Sequence, residues 1–76
     1  MSTVDDALAS FAEQLADLSE QLADLALDRL RAAADPDEPD RAEAEALERR
    51  ITRARRAVQK AAALLSERSS DLGHTR

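Results

Sequence analysis

Residues 13–25 read EQLADLSEQLADL, so the six-residue unit EQLADL occurs twice, one heptad apart. Its leucines follow one another at alternating steps of three and four residues. This spacing keeps apolar side chains on one side of an α-helix and is typical of coiled coils. The pattern continues toward the N-terminus and predicts a first helix over residues 3–34. Its seam consists of Leu8, Phe11, Leu15, Leu18, Leu22 and Leu25.

A second run with the same alternation of steps occupies the C-terminal half of the chain. It predicts a second helix over residues 37–70, with Gly73 as a C-terminal stop and a frayed tail at residues 73–76. The seam of this helix consists of Leu47, Ile51, Ala54, Val58, Ala61 and Leu65.

The two predicted helices are separated by the turn DPDEPD at residues 35–40. Proline disfavours a helical conformation in the residue before it and suits the first position of a new helix. Pro36 and Pro39 both fit that first position, and both starts remain open. When the chain folds back here, the paired seam residues have numbers that sum to 72 or 73. We therefore predict an antiparallel, coiled-coil-like hairpin of two helices.

The composition supports an all-α fold in a single domain over residues 1–76. Ala, Leu, Asp, Glu and Arg dominate, and Phe11 is the one aromatic residue; long helices have this composition. The absence of cysteine excludes disulfides and thiolate metal sites. No apolar run approaches the roughly 20 residues of a membrane span. The N-terminus lacks the features of a signal peptide, so we expect a cytoplasmic location. The preference for Arg over Lys favours a bacterial origin.

A second stripe of small and apolar residues flanks the seam and widens the apolar face beyond what two helices need. A chain this short is usually marginal alone, so association is expected to supply the missing burial. We predict a homodimer in which two hairpins form a four-helix bundle. The candidate oligomer face consists of Ala12, Ala16, Ala23, Ala26, Leu30, Ala57 and Leu64.

Charge is distributed unequally between the two helices. Residues 4–34 contain seven acids and two bases, whereas residues 41–68 contain eight bases and four acids. Outward-facing charges of opposite sign are suited to selecting the orientation and identity of a partner helix. The candidate partner faces are Glu13, Asp17, Glu20 and Asp24 on the first helix, and Arg49, Arg53, Arg56 and Lys60 on the second.

No constellation of catalytic, cofactor-binding or metal-binding residues is recognisable in this sequence. The acids are predicted to point outward, and His74 lies beyond the second helix, so neither suits a metal site in a bundle. We expect a non-enzymatic protein–protein interaction module whose partner is itself or another helical protein. Small-molecule and membrane partners are not expected. The alternative is a nucleic-acid-associated regulator that uses the arginines of the second helix, although the net charge of −5 opposes it.

Overall fold

The computed structural model describes residues 3–67, which form two long α-helices that pack against each other as a hairpin. Helix α1 spans Thr3–Ala34 and helix α2 spans Arg41–Ser66. The part of the chain that the structure describes contains no strand. Asp5 and Asp6 lie in the first turn of α1 and Arg31 in its last, so both ends complement the helix dipole.

The corner between the helices is built by Asp35 and the proline after it. The amide of Asp35 donates to the carbonyl of Ala32 (3.2 Å), which ends α1. The carbonyl of Asp35 accepts from the amide of Glu38 (3.1 Å), and its Oδ1 accepts from the amide of Asp37 (2.9 Å). These bonds make a turn with Pro36 at its second position, because proline fixes the backbone angle that this position requires.

Helix α2 begins at Arg41, four residues later than the predicted start at residue 37. Asp40 is its N-cap, and the carbonyl of Asp40 accepts the first helical hydrogen bond, from Ala44 (2.9 Å). Neither Pro36 nor Pro39 is therefore the first helical residue. A helix opened by Pro36 would need Glu38 in a helical conformation directly before Pro39, which proline disfavours.

Helix α2 ends at Ser66 rather than near residue 70, because Glu67 is extended, with φ −67° and ψ 143°. The hydroxyl of Ser66 donates to the carbonyl of Ala62 (2.9 Å), a local bond that occupies an acceptor of the last turn. The predicted tail at residues 73–76 lies outside the described residues.

On α1, the contact with α2 is made by small residues that alternate with leucines. Ala12, Ser19 and Ala26 are buried, at 6–8% exposure, and alternate with the half-buried Leu8, Leu15 and Leu22. Small side chains allow helix axes to approach closely. We call these residues the inner stripe of α1. The inner stripe of α2 consists of Ala44, which is buried, and of the half-buried Glu48, Ile51, Arg55, Val58, Ala62 and Leu65.

The hairpin is a single layer of helices, measuring 56 × 27 × 12 Å along its principal axes. A thickness of 12 Å equals the diameter of one helix. Neither broad side of the layer is therefore covered by another helix of the described residues. Among the described residues no large side chain is fully buried, and the buried apolar residues are three alanines. Half of the large apolar side chains in residues 3–67 are therefore exposed on the surface of the hairpin.

Candidate interaction surfaces

A row of large apolar side chains runs along α1 beside the inner stripe. Phe11, Leu18 and Leu25 are 51%, 42% and 48% exposed, and Val4 continues the row at 64%. These four residues recur at intervals of seven, which keeps them on one side of a helix that packs in heptad register. We call them the apolar ridge. A contiguous row of this kind, unlike scattered exposed leucines, marks a surface that associates with another molecule.

The apolar ridge lies on the same broad side of the hairpin as a shallow apolar strip on α2. Phe11, Leu18 and Leu25 each follow an inner-stripe leucine by three residues, which rotates them by about 60° from it. Val4 precedes Leu8 by four residues and is rotated in the same direction. Antiparallel helices are related by a local two-fold axis perpendicular to the plane that contains them. Residues rotated by the same angle from the inner stripe of each helix therefore lie on the same broad side of the hairpin. The corresponding strip on α2, which we call the alanine trough, consists of Leu47, Ala54, Ala57, Ala61 and Leu64, with Arg50 exposed at its edge. Ridge and trough together form the apolar side.

The other broad side of the hairpin is polar along α2. There Thr52 Oγ1 donates to Glu48 Oε2 (2.8 Å), and Arg49 Nη1 pairs with Glu45 Oε1 (3.3 Å). The Nε of Arg55, in the inner stripe, is buried and has no hydrogen-bond partner. On α1 this polar side carries Ala16, Ala23 and Leu30. The two sides of the layer therefore differ in polarity mainly along α2.

The predicted seam is only partly the contact between the two helices. Its exposed members are mostly on α1, because α1 is rotated so that Ala12, Ser19 and Ala26 face α2 in place of larger residues. The half-buried members are Leu8, Leu15, Leu22, Leu47, Ile51, Val58, Ala61 and Leu65. The exposed members are Phe11, Leu18, Leu25 and Ala54.

The predicted oligomer face does not form one surface in the hairpin. Ala12 and Ala26 are buried against α2 of their own chain, since their small size permits the close helix contact, and so they are not available to a partner. Ala23 is half-buried. Leu30 and Leu64 are 52% and 54% exposed, but Leu30 lies on the polar side and Leu64 on the apolar side. The remaining members, Ala16 and Ala57, are exposed on opposite sides as well.

The two predicted charged faces are exposed along the outer edges of the layer. Within residues 3–67, none of their acids forms an ion pair with a base of the other helix. The Arg29–Asp28 pair, at 2.7 Å, joins neighbours on α1, and this hydrogen bond raises the pKa of Arg29 above its ordinary value. The exposed acids are Glu13, Asp17, Glu20 and Asp24, and the exposed bases are Arg49, Arg53, Arg56 and Lys60.

Comparison of the chain with protein-family models, with curated proteins and with solved structures finds no match. The surfaces of the hairpin are therefore the basis for proposing its function. Neither helix is long and apolar enough to cross a membrane. Across residues 3–67 there is no group of three or more His, Asp or Glu side chains arranged to hold a metal ion.

An open groove of about 540 Å³ runs along the basic edge of α2. Its cationic side chains stand one helical turn apart, with Glu48 and Thr52 at one border. Guanidinium groups in this arrangement are suited to contacting phosphates or carboxylates. The groove is lined by Ala46, Glu48, Arg49, Thr52, Arg53 and Arg56.

Proposed function

We propose that this chain is a non-enzymatic protein–protein interaction module, a small cytoplasmic scaffold, adaptor or accessory subunit that acts as a homo-oligomer. The observation that carries the proposal is the apolar ridge: Phe11, Leu18 and Leu25 project from a layer one helix thick. Water contact with this surface is costly, and a packed partner would remove it. The regular charged edges would then select which helices can approach.

The small amount of apolar surface that the isolated hairpin buries also favours association. Its buried apolar residues within the described range are Ala12, Ala26 and Ala44, which bury little surface. Small domains without disulfides or metals rarely obtain enough stability from one modest core. Association through the ridge would supply burial that the single layer lacks, and folding would then be coupled to oligomer formation.

This proposal is tested by following helix content by circular dichroism during heating, over roughly a hundredfold range of chain concentration. Because dilution favours dissociation, an oligomer whose folding is coupled to assembly melts at lower temperature as it is diluted. A melting temperature that rises with concentration supports the proposal. A cooperative melt at one temperature throughout the range would contradict it.

The groove on α2 supports a second candidate function, a nucleic-acid-associated regulator. Arg49, Arg53 and Arg56 lie along one edge of a helix, where they could follow a phosphate backbone. The net charge of −5 opposes long-range attraction to nucleic acid, which is why this candidate ranks second.

The two candidates are separated by measuring binding of a labelled DNA or RNA duplex by fluorescence anisotropy at low salt. The regulator should bind with an affinity that falls steeply as salt is added, because phosphate contacts release counterions. Arg53→Glu with Arg56→Glu should then abolish binding. Arg31→Glu on α1 is the control and should retain it. Absence of binding at low salt would eliminate this candidate.

A further inference from the structure

We infer that the apolar side is covered by a second copy of this chain, stacked so that α1 of each copy lies on α2 of the other. This inference rests on the proposed function and specifies its partner and its geometry. Two hairpin layers that meet through their apolar sides give a four-helix bundle two helices thick. The two-fold axis runs parallel to the helices, so both proline corners lie at the same end of the bundle.

Shape complementarity selects this axis. The apolar side has large residues on α1 and mainly alanine on α2, so it is a ridge beside a trough. A two-fold axis parallel to the helices places the ridge of each copy over the trough of the other. The alternative two-fold axis, perpendicular to the helices in the plane of the layer, places ridge on ridge and trough on trough. Side chains interdigitate in the first arrangement and collide or leave voids in the second.

The ridge and the trough also have matching heights along the helices. Arg41 Nε donates to the carbonyl of Ala33 (3.2 Å), so residues at equal height have numbers that sum to about 74. Leu18 then stands level with a point between Ala54 and Ala57. Phe11 stands level with a point between Ala61 and Leu64. A parallel two-fold axis preserves height, so Phe11 and Leu18 of one copy each meet the alanine trough of the other.

The charged edges favour the same axis. Asp17 and Asp24 are exposed on the outer edge of α1, and Arg53 and Lys60 on the outer edge of α2. Stacking α1 on α2 of the other copy brings an acidic edge beside a basic edge on both flanks of the bundle. The alternative axis brings acid beside acid and base beside base. Repulsion between like charges disfavours the alternative orientation more strongly than attraction between opposite charges adds affinity to the inferred one.

The area available is sufficient for a stable dimer. The layer extends 56 Å along the helices and 27 Å across them. A stable interface needs about 800 Å² from each partner, and obligate homodimers bury more than this. Roughly half of the broad side would meet that requirement. The second copy is therefore an occupant of the right size, shape and charge.

The orientation can be tested with spin labels, because the chain has no cysteine that would react at another position. Asp37 lies exposed at the corner, and its side chain accepts none of the hydrogen bonds that form the turn. In Asp37→Cys the two labels should be about 20–30 Å apart, given helix layers about 10 Å apart and the length of the label arms. The alternative axis places them at opposite ends of a body 56 Å long.

Glu67→Cys, at the open end of the hairpin, is the second labelled variant and should also give a short distance. The mass of each labelled sample is measured by light scattering alongside the distance. Dimers with short distances at both positions support the inference. Dimers with distances near 50 Å or more would overturn the inferred axis and leave the interaction module standing, whereas a monomeric mass would overturn both.

Discussion

Removal of two ridge leucines, Leu18→Ala with Leu25→Ala, should weaken the dimer while leaving the residues that join α1 to α2 in place. Both residues project from the layer, and alanine is an even better helix former than leucine. The control is Leu27→Ala with Leu30→Ala on the same helix. Leu27 and Leu30 are 45% and 52% exposed, so the control matches the test in residue type and exposure but lies off the apolar side.

The magnitude follows from the surface that these leucines expose. Complete burial of a leucine side chain contributes about 1.5–3 kcal/mol, and Leu18 and Leu25 are 42% and 48% exposed. Covering the exposed part of each therefore contributes about 1 kcal/mol. A two-fold dimer contains four such side chains, and the alanine methyl groups retain part of the burial. The expected loss is about 3 kcal/mol of dimerisation free energy, or roughly a hundredfold rise in Kd.

The dissociation constant is measured from heats of dilution by calorimetry, with helix content checked by circular dichroism. The control variant should change Kd by no more than about twofold, as is usual for surface substitutions away from packed sites. An equal change in Kd for both variants would refute an interface on the apolar side. A larger change for the control would refute it as well, because that result would place the interface on the polar side, where Leu30 lies.

Three further substitutions test the hairpin itself, each by thermal melting at one fixed concentration. Leu22→Asp puts a carboxylate into the half-buried contact between the helices and should abolish cooperative folding, because an unpaired charge that loses much of its water there costs several kcal/mol; retention of full helicity would show that Leu22 does not face α2. Arg55→Leu removes the buried Nε that has no partner and should raise stability by about 1 kcal/mol, whereas a lower melting temperature would mean that Arg55 makes a stabilising contact. Arg41→Ala removes the hydrogen bond to the carbonyl of Ala33 at the end of α1 and should cost about 1 kcal/mol, so an unchanged melt would show that this bond contributes nothing.

The existence of two paired helices could be predicted from the sequence because several signals agree. Steps of three and four define a helical face, and a corner with Pro36 and Pro39 interrupts the chain between two such faces. The structure shows the all-helical hairpin that these signals predict. The start of α2 could not be predicted, because Pro36 and Pro39 both suit the first position of a helix. In the structure both prolines lie in the turn before α2.

The rotation of α1 could not be predicted from periodicity. Leu15, Leu18 and Ser19 all lie within one wide arc of apolar and small residues, and this arc is wider than the contact with α2. Hydrophobicity favours leucine as the core residue, whereas the structure buries the small residues between the helices and leaves half of the large seam residues of α1 exposed. The alanines at heptad spacing indicate a second face that could contact α2. Only the paired helices show that a close approach of the two helix axes is preferred to the burial of larger side chains.

The most direct test is the mass of the native chain by sedimentation equilibrium at several concentrations. If a second copy covers the apolar ridge, the data should converge at high concentration on a species of twice the 8.3 kDa chain mass. The mass should fall toward that of one chain on dilution. A mass of 8.3 kDa at every concentration would contradict the account, because the ridge would then remain in water.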